Sequence, residues 1–362
     1  MLTVTICGDT AIALSVAAIS AANGHLVRVL SGDPTMWRPR VTFRLPGQNR
    51  RVACLERIDS RPDEALRGAD VVLICVTHDL IRSWLDRIAP FVTANMLVGG
   101  VPGFGGFGVL AAQILGRRCV LFGTQRVPFV VRRHVSGQSV EVGGIRRQTF
   151  VGTIPAHAAR PVAELVAETL GVRTVPVSHY LNIELSPSNS IVNPARLYAL
   201  FGPNGTCPES VNSIDFFKEW DLDATNALLR MDDELQKGRA LLPRDTSFVA
   251  PILLQYDSND AHTLTDRIRR LAALHGRPLV IDRSMTRTVP DPAASYLWED
   301  LDIGLTTVRD ILHLAGAQTQ FMDAVLHWRY ELLPTSGRAP WAGRPRVVLG
   351  GGSLEELASA LD

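Results

Sequence analysis

The chain has 362 residues, 46% hydrophobic and 20% charged, which excludes a disordered or fibrous protein and leaves enough apolar surface for two cores. Lys and Arg number 37 against 36 Asp and Glu, so the total supplies no basic field for nucleic acid or an anionic membrane surface, and a small-molecule partner is expected. Cys7, Cys54, Cys75, Cys119 and Cys207 are odd in number and include no C-x-x-C pair, which argues against a disulfide framework or a zinc site and for a reducing cytoplasm.

Met1 to Ile6 lack the basic flank and small-residue cleavage site of a secretory leader, and no stretch reaches the roughly 18 apolar residues of a membrane helix. Leu2 to Ile6 is instead a β-branched apolar run that meets Gly8. Ala11 to Ala22 then favours helix, Asn23-Gly24 stops it, and His25 to Leu30 is a second apolar strand. Further strands are expected at Val71 to Val76, Met96 to Gly99 and Cys119 to Phe122, separated by helices near Ile81 to Ile88 and Gly108 to Leu115. Such alternation predicts a parallel sheet covered on both faces. After about Val175 the pattern becomes long helices, Asp223 to Leu241, Ala261 to Leu274 and Leu305 to Leu314. Gly171 and Pro176 interrupt the pattern between them. The expected fold class is α/β: a Rossmann-type parallel sheet domain over 1–175, a mostly helical domain over 176–334, and a tail over 335–362 with a short helix from Leu354 to Leu361 and no assigned role.

The first turn, Gly8-Asp9-Thr10-Ala11-Ile12-Ala13, occupies the place of a G-x-G-x-x-[GA] phosphate loop, with Thr10 where the second glycine would stand. Gly8 suits the tight turn, Ala13 lets the helix pack close to the strand, and the helix N-terminus offers N–H groups to a pyrophosphate. The Thr10 hydroxyl is a candidate phosphate donor, and a plain β-turn-α corner is the alternative. At the end of the second strand, Ser31-Gly32-Asp33 followed by Arg38 and Arg40 suits a ribose 2′-phosphate better than a free diol. NADP(H) is therefore the expected cofactor and NAD the alternative, which Asp33 favours. Val76, Thr77 and Pro102 sit at carboxyl ends of strands, where open α/β sheets bind ligands, and are expected to border the dinucleotide.

Several segments together resemble the opine dehydrogenase family. They are the glycine-rich Gly99 to Phe107, Gly123-Thr124-Gln125-Arg126-Val127-Pro128-Phe129 to Arg132, Asn189-Ser190-Ile191-Val192-Asn193-Pro194-Ala195-Arg196, Tyr256-Asp257-Ser258-Asn259-Asp260-Ala261 to Arg269, and Tyr296-Leu297-Trp298-Glu299-Asp300-Leu301-Asp302-Ile303-Gly304-Leu305. The second is most similar to the opine-metallophore branch. The resemblance implies reductive condensation of an amino acid or other amine with a 2-oxo acid, pyruvate or 2-oxoglutarate, and is compatible with a homodimer. It further implies Arg132 as a carboxylate clamp, Asn189 and Tyr296 as substrate-side residues, and Asp300 as the carboxylate that orients the catalytic residue. Core packing or a turn for Asn189 and Tyr296, a surface arginine at 132, and a helix N-cap at 300 are the plainer alternatives.

Asn193 stands where the family carries its catalytic histidine. An amide donates and accepts hydrogen bonds but does not titrate near neutrality. A natural variant using another acid, an engineered substitution, or a protein that binds without turnover are all compatible with it, as is another imine or 2-oxo acid reductase on the same scaffold. His179, shortly before the motif, is a candidate substitute acid or a structural residue.

Overall fold

The computed structural model describes residues 1–186, 189–208, 212–271, 275–276, 278–282, 289–291, 294, 296–332 and 354–362. Contacts divide the chain into two compact units, one of Met1–Glu184 with Leu357–Asp362 and one of Leu185–Glu356.

The first unit begins with β1 (Thr3–Cys7), α1 (Ala11–Ala22), β2 (Leu26–Leu30), β3 (Arg40–Arg44), β4 (Arg51–Cys54), β5 (Arg57–Asp59), α2 (Pro62–Ala65), β6 (Val71–Ile74) and α3 (Ile81–Ile88). It continues through β7 (Leu97–Gly100), α4 (Phe107–Leu115), β8 (Val120–Thr124), β9 (Phe129–Val135), β10 (Ser139–Ile145), β11 (Gln148–Ile154), α5 (Ala159–Leu170), β12 (Arg173–Pro176) and α6 (Leu181–Glu184). The main sheet has the order β12-β11-β8-β7-β6-β1-β2-β5. From β8 to β5 all pairs are parallel, while β11 runs antiparallel to β8. All four residues of β6 are buried, the continuous apolar run expected of a parallel strand covered on both faces.

A second sheet, β4-β3-β10-β9, lies mostly in residues for which the sequence suggests no element. Its strands alternate apolar with charged side chains, Val41 and Phe43 buried between exposed Arg40 and Arg44, and the arginines disguise the period. α1 packs against the main sheet and also against β3, β4, β9 and β10, which is why Ala13 through Ser20 are all buried and no polar face is present.

The expected boundary at 175/176 moves to 184/185. β12 adds to the main sheet through Pro176, and Tyr180, Leu181 and Ile183 are fully buried in the first unit. The end of the chain is not an independent tail either: Leu361 is fully buried, Asp362 O accepts from Ala156 N, and its carboxylate meets His179 Nε2 at 3.1 Å. The stretch 335–353 lies outside the described residues.

The second unit contains α7 (Asn189–Phe201), β13 (Ser213–Asp215), α8 (Leu222–Arg239), α9 (Ile252–Gln255), α10 (Ala261–Arg269), β14 (Pro278–Asp282) and β15 (Val289–Pro290). A π-helical segment Tyr296–Leu305, α11 (Thr306–Leu314), α12 (Gln320–Leu332) and residues 354–356 at the start of α13 (Leu354–Ala360) follow. Residues 272–274, the expected end of α10, lie outside the described residues. β13, β14 and β15 form a small antiparallel sheet that the helical reading of this region did not anticipate. α7 packs on α8 and on the π-helical segment. Asp221 ties the first pair together: it caps α8 by accepting from Ala224 N at 2.8 Å and pairs with the buried Arg196 guanidinium of α7.

Candidate active site

The turn between β1 and α1 has the form a phosphate loop requires. Gly8 has φ 121°, and a Cβ there would stand 2.7 Å from the Cys75 carbonyl oxygen, so only glycine lets β1 pass so close to the end of β6. Thr10 is the N-cap: its hydroxyl oxygen accepts from Ala13 N at 3.1 Å while its proton goes to Cys75 O at 2.7 Å. The hydroxyl is therefore spent inside the protein, which corrects the expectation that it donates to a phosphate. Ala11 and Ile12 N–H have no acceptor among the described residues. Together with the glycine cradle they fit a pyrophosphate at the helix N-terminus.

Asp9 points away from that N-terminus. Its carboxylate accepts from Ser31 Oγ, from Gly32 N at 2.7 Å and from Trp37 Nε1 at 2.8 Å. Ser31 is fully buried under these bonds, so the expected contact of its hydroxyl with a ribose phosphate is also corrected. Arg38 and Arg40 remain exposed, with no side-chain partner among the described residues. Asp33 Oδ1 accepts from Thr35 N at 3.0 Å and so helps to hold the intervening turn. Val76 is buried against Gly8, the Thr77 hydroxyl donates to Asp79 at 2.6 Å, and half-buried Pro102 follows β7.

Two buried groups near this edge were not picked out from the sequence. Glu184 accepts from Gly106 N at 2.9 Å and Gly108 N at 3.0 Å, taking the N-terminus of α4, and burial pushes its carboxyl up to about 7 against those bonds. Tyr180 donates to Gly103 O at 2.8 Å. A signal for Glu184 exists: α4 opens at Gly106 without a capping side chain of its own, and an acid stands within the apolar run Tyr180 to Leu185. His179 proves structural, with Nδ1 accepting from Leu181 N at 3.1 Å and Nε2 on Asp362, so it is not a free acid.

In the second unit the sequence motifs around 193 and 300 converge. A Cβ at Gly304 would lie 2.8 Å from Ser190 Oγ, so this glycine lets the π-helical segment lie against α7. One turn away the same contact sets Asp300 opposite Asn193. Asn193 Nδ2 donates to Asp300 Oδ2 at 2.8 Å, with the two residues 1% and 5% exposed. Desolvation pushes the Asp300 carboxyl up to about 7, and the hydrogen bond from Asn193 works in the opposite direction. Asp300 is inside a helical segment that runs directly into α11, not a cap. Asn193 Oδ1 is buried and has no partner among the described residues, which costs about 1–3 kcal/mol unless a donor arrives.

The other substrate-side candidates are placed less closely. Tyr296 opens the π-helical segment and stacks on Phe216 with ring centroids 4.4 Å apart, and Asn189 is exposed at the start of α7. Arg132 is exposed on β9, and the Gly123 to Arg132 segment is split between β8 in the main sheet and β9 in the second. Arg132 belongs to the first unit, and Asn193, Asp300, Asn189 and Tyr296 to the second. Among the described residues no group of three or more His, Cys, Asp or Glu is placed to hold a metal ion, and no helix is long and apolar enough to cross a membrane.

Comparison with known proteins bears on this arrangement. Residues 176–333 match the family described as NAD/NADP octopine/nopaline dehydrogenase, alpha-helical domain. An uncharacterised protein of Sinorhizobium fredii is 33% identical over 258 residues, 62% of this chain and 68% of that one. The octopine dehydrogenase of Mizuhopecten yessoensis is 25% identical over 302 residues, 76% of this chain and 72% of the relative. In fold, the chain matches a solved octopine dehydrogenase with NADH and L-arginine at a TM-score of 0.83 and 22% identity, covering 100% of this chain and 99% of that one.

Proposed function

Because this chain belongs to the opine dehydrogenase family, we propose that it is an NADP(H)-dependent enzyme that condenses the amine of an amino acid with pyruvate or 2-oxoglutarate and reduces the resulting C=N bond. It is an oxidoreductase acting on CH–NH bonds. The observation that carries the finer reading is the buried Asn193–Asp300 pair, which sits within the matched helical domain at the motif position where the family carries its histidine. Its membership of the opine-metallophore branch rests on the Gly123 to Arg132 segment alone. The odd number and wide spacing of the five cysteines support a reducing cytoplasm.

When bound, the nicotinamide dinucleotide supplies the hydride that reduces the imine carbon. The chain's own residues bind and orient. Ala11 and Ile12 N–H at the α1 terminus receive the pyrophosphate, with Gly8 keeping the approach open. Arg38 and Arg40, exposed beyond the anchored Ser31, receive the 2′-phosphate. Arg132 holds a substrate carboxylate through the two parallel bonds a guanidinium offers, and so orients the carbon to be reduced. Asp300 fixes the Asn193 amide and faces developing positive charge on nitrogen. Tyr296 and Asn189 complete the substrate side.

The test is oxidation of NADPH and of NADH by the purified chain with pyruvate or 2-oxoglutarate, with and without an amino acid panel. Amine-dependent oxidation that favours NADPH, and falls at least tenfold in kcat/KM for NADPH when Arg38 and Arg40 are both replaced by Ala, is the expected result. A preference for NADH overturns the cofactor assignment. Oxidation that needs no amine favours the second reading, a 2-oxo acid reductase on the same scaffold, which the missing histidine at 193 keeps in view.

A further inference from the structure

An Asn side chain is usually read as a weak replacement for a catalytic histidine, yet here it has one fixed orientation. Once ionised, above about pH 7, the Asp300 carboxylate only accepts hydrogen bonds and holds the Asn193 amide with its NH2 group inward, 2.8 Å away. The carbonyl oxygen is thereby turned the other way. It is buried, finds no donor among the described residues, and the following residue, Pro194, has no N–H to offer it. A buried acceptor left in this state selects for a ligand that brings a donor.

Resting on the reaction proposed above, we infer that Asn193 Oδ1 accepts the N–H of the substrate iminium, so that the enzyme reduces iminium ions formed from primary amines and rejects those formed from secondary amines. The chemistry balances without an acid at residue 193. The amine nitrogen bonds to the carbonyl carbon of the oxo acid, and the carbonyl oxygen leaves as water after one proton is taken up, giving a C=N bond whose nitrogen is positively charged. From a primary amine that nitrogen keeps one N–H; from an N-methyl amine it keeps none. The carbon then accepts a hydride from the reduced nicotinamide, the C=N π pair becomes the nitrogen lone pair, and the product is a neutral amine. No proton is needed at the hydride step. What the site must supply is recognition of the protonated C=N, and an oriented carbonyl oxygen does that. Asn193 is then a specificity-determining residue, and Asp300 a positioning residue acting through it.

The experiment compares L-arginine with Nα-methyl-L-arginine, and L-alanine with N-methyl-L-alanine, each with pyruvate and NADPH, in the full chain and in Asn193→Leu. Leucine keeps the branched skeleton of asparagine but accepts nothing. The wild type is expected to prefer the primary amine by 100-fold or more in kcat/KM, the order seen when a site built for a substrate N–H meets an analogue without it. In Asn193→Leu the preference should fall to about tenfold or less, through loss of activity on the primary amine. Calorimetry should show both members of each pair binding comparably to the wild type, because both ammonium forms still carry N–H groups and only the iminium differs. Asn193→Ala replaces the leucine variant if circular dichroism shows the latter unfolded. Equal use of N-methyl and primary amines, or an undiminished preference in the variant, overturns this inference while leaving the opine reaction standing. Absence of any amine-dependent oxidation in the wild type overturns the opine reaction itself, and the inference with it.

Discussion

Asp300 shows how one burial sets both stability and chemistry. Its carboxyl is held up at about 7 from 3.8, so the folded protein keeps a proton that the unfolded chain releases near pH 4. The stability this provides is complete below about pH 4, is lost progressively as pH rises to about 7, and stays lost above that. Asp300→Asn removes the charge while leaving an acceptor for Asn193. It should therefore be more stable than the wild type at pH 8 by on the order of a few kcal/mol, with the gap closing towards pH 4, as read by urea denaturation at both pH values. A gap of the same size at pH 4 would show that the carboxylate's burial is not the cause. The same variant should lose activity, because a neutral amide at 300 no longer dictates which way Asn193 faces. None of this balance is written in the sequence. Position 300 could be read there as a carboxylate facing residue 193 or as a cap, and only the closeness of the two segments at Gly304 decides between them.

At the scale of elements, two helix N-termini are built differently. α1 is capped by its own Thr10 and leaves Ala11 and Ile12 N–H without an acceptor among the described residues, whereas α4 has its first amides taken by Glu184. Gly8→Ala forces a side chain into φ 121° and against the Cys75 carbonyl, so it should cost roughly 1–3 kcal/mol and weaken dinucleotide binding together, measured by denaturation and by NADPH fluorescence titration. Glu184→Leu leaves Gly106 and Gly108 N–H without acceptors in a buried setting and should cost about 2–5 kcal/mol, with little change in NADPH affinity at the α1 terminus. The main sheet and its helices were legible because parallel strands read as unbroken apolar runs. The second sheet was not, because its exposed face carries Arg40, Arg44 and Arg133 and so looks like a loop. Ser31 misled for a related reason: its hydroxyl suits a phosphate in chemistry, but Asp9 had already claimed it.

For the molecule as a whole, the division into two units is discontinuous in sequence. The texture of the sequence changes near 175, where β12 ends, but no local pattern reveals that residues 357–362 belong with the first unit, since that depends on where the chain returns. Leu361 is fully buried there and Asp362 meets both Ala156 and His179. Leu361→Ala should therefore cost about 2–5 kcal/mol and lower hydrogen-exchange protection within residues 1–184 more than within residues 189–332, although the substitution lies near the opposite end of the chain. Equal loss in both units would contradict that assignment. The arrangement also has a temporal side. A ribosome releases the first 184 residues long before it reaches Leu357, so the growing chain must wait, with the seat of Leu361 uncovered and His179 lacking its carboxylate, until residues 357–362 have been made.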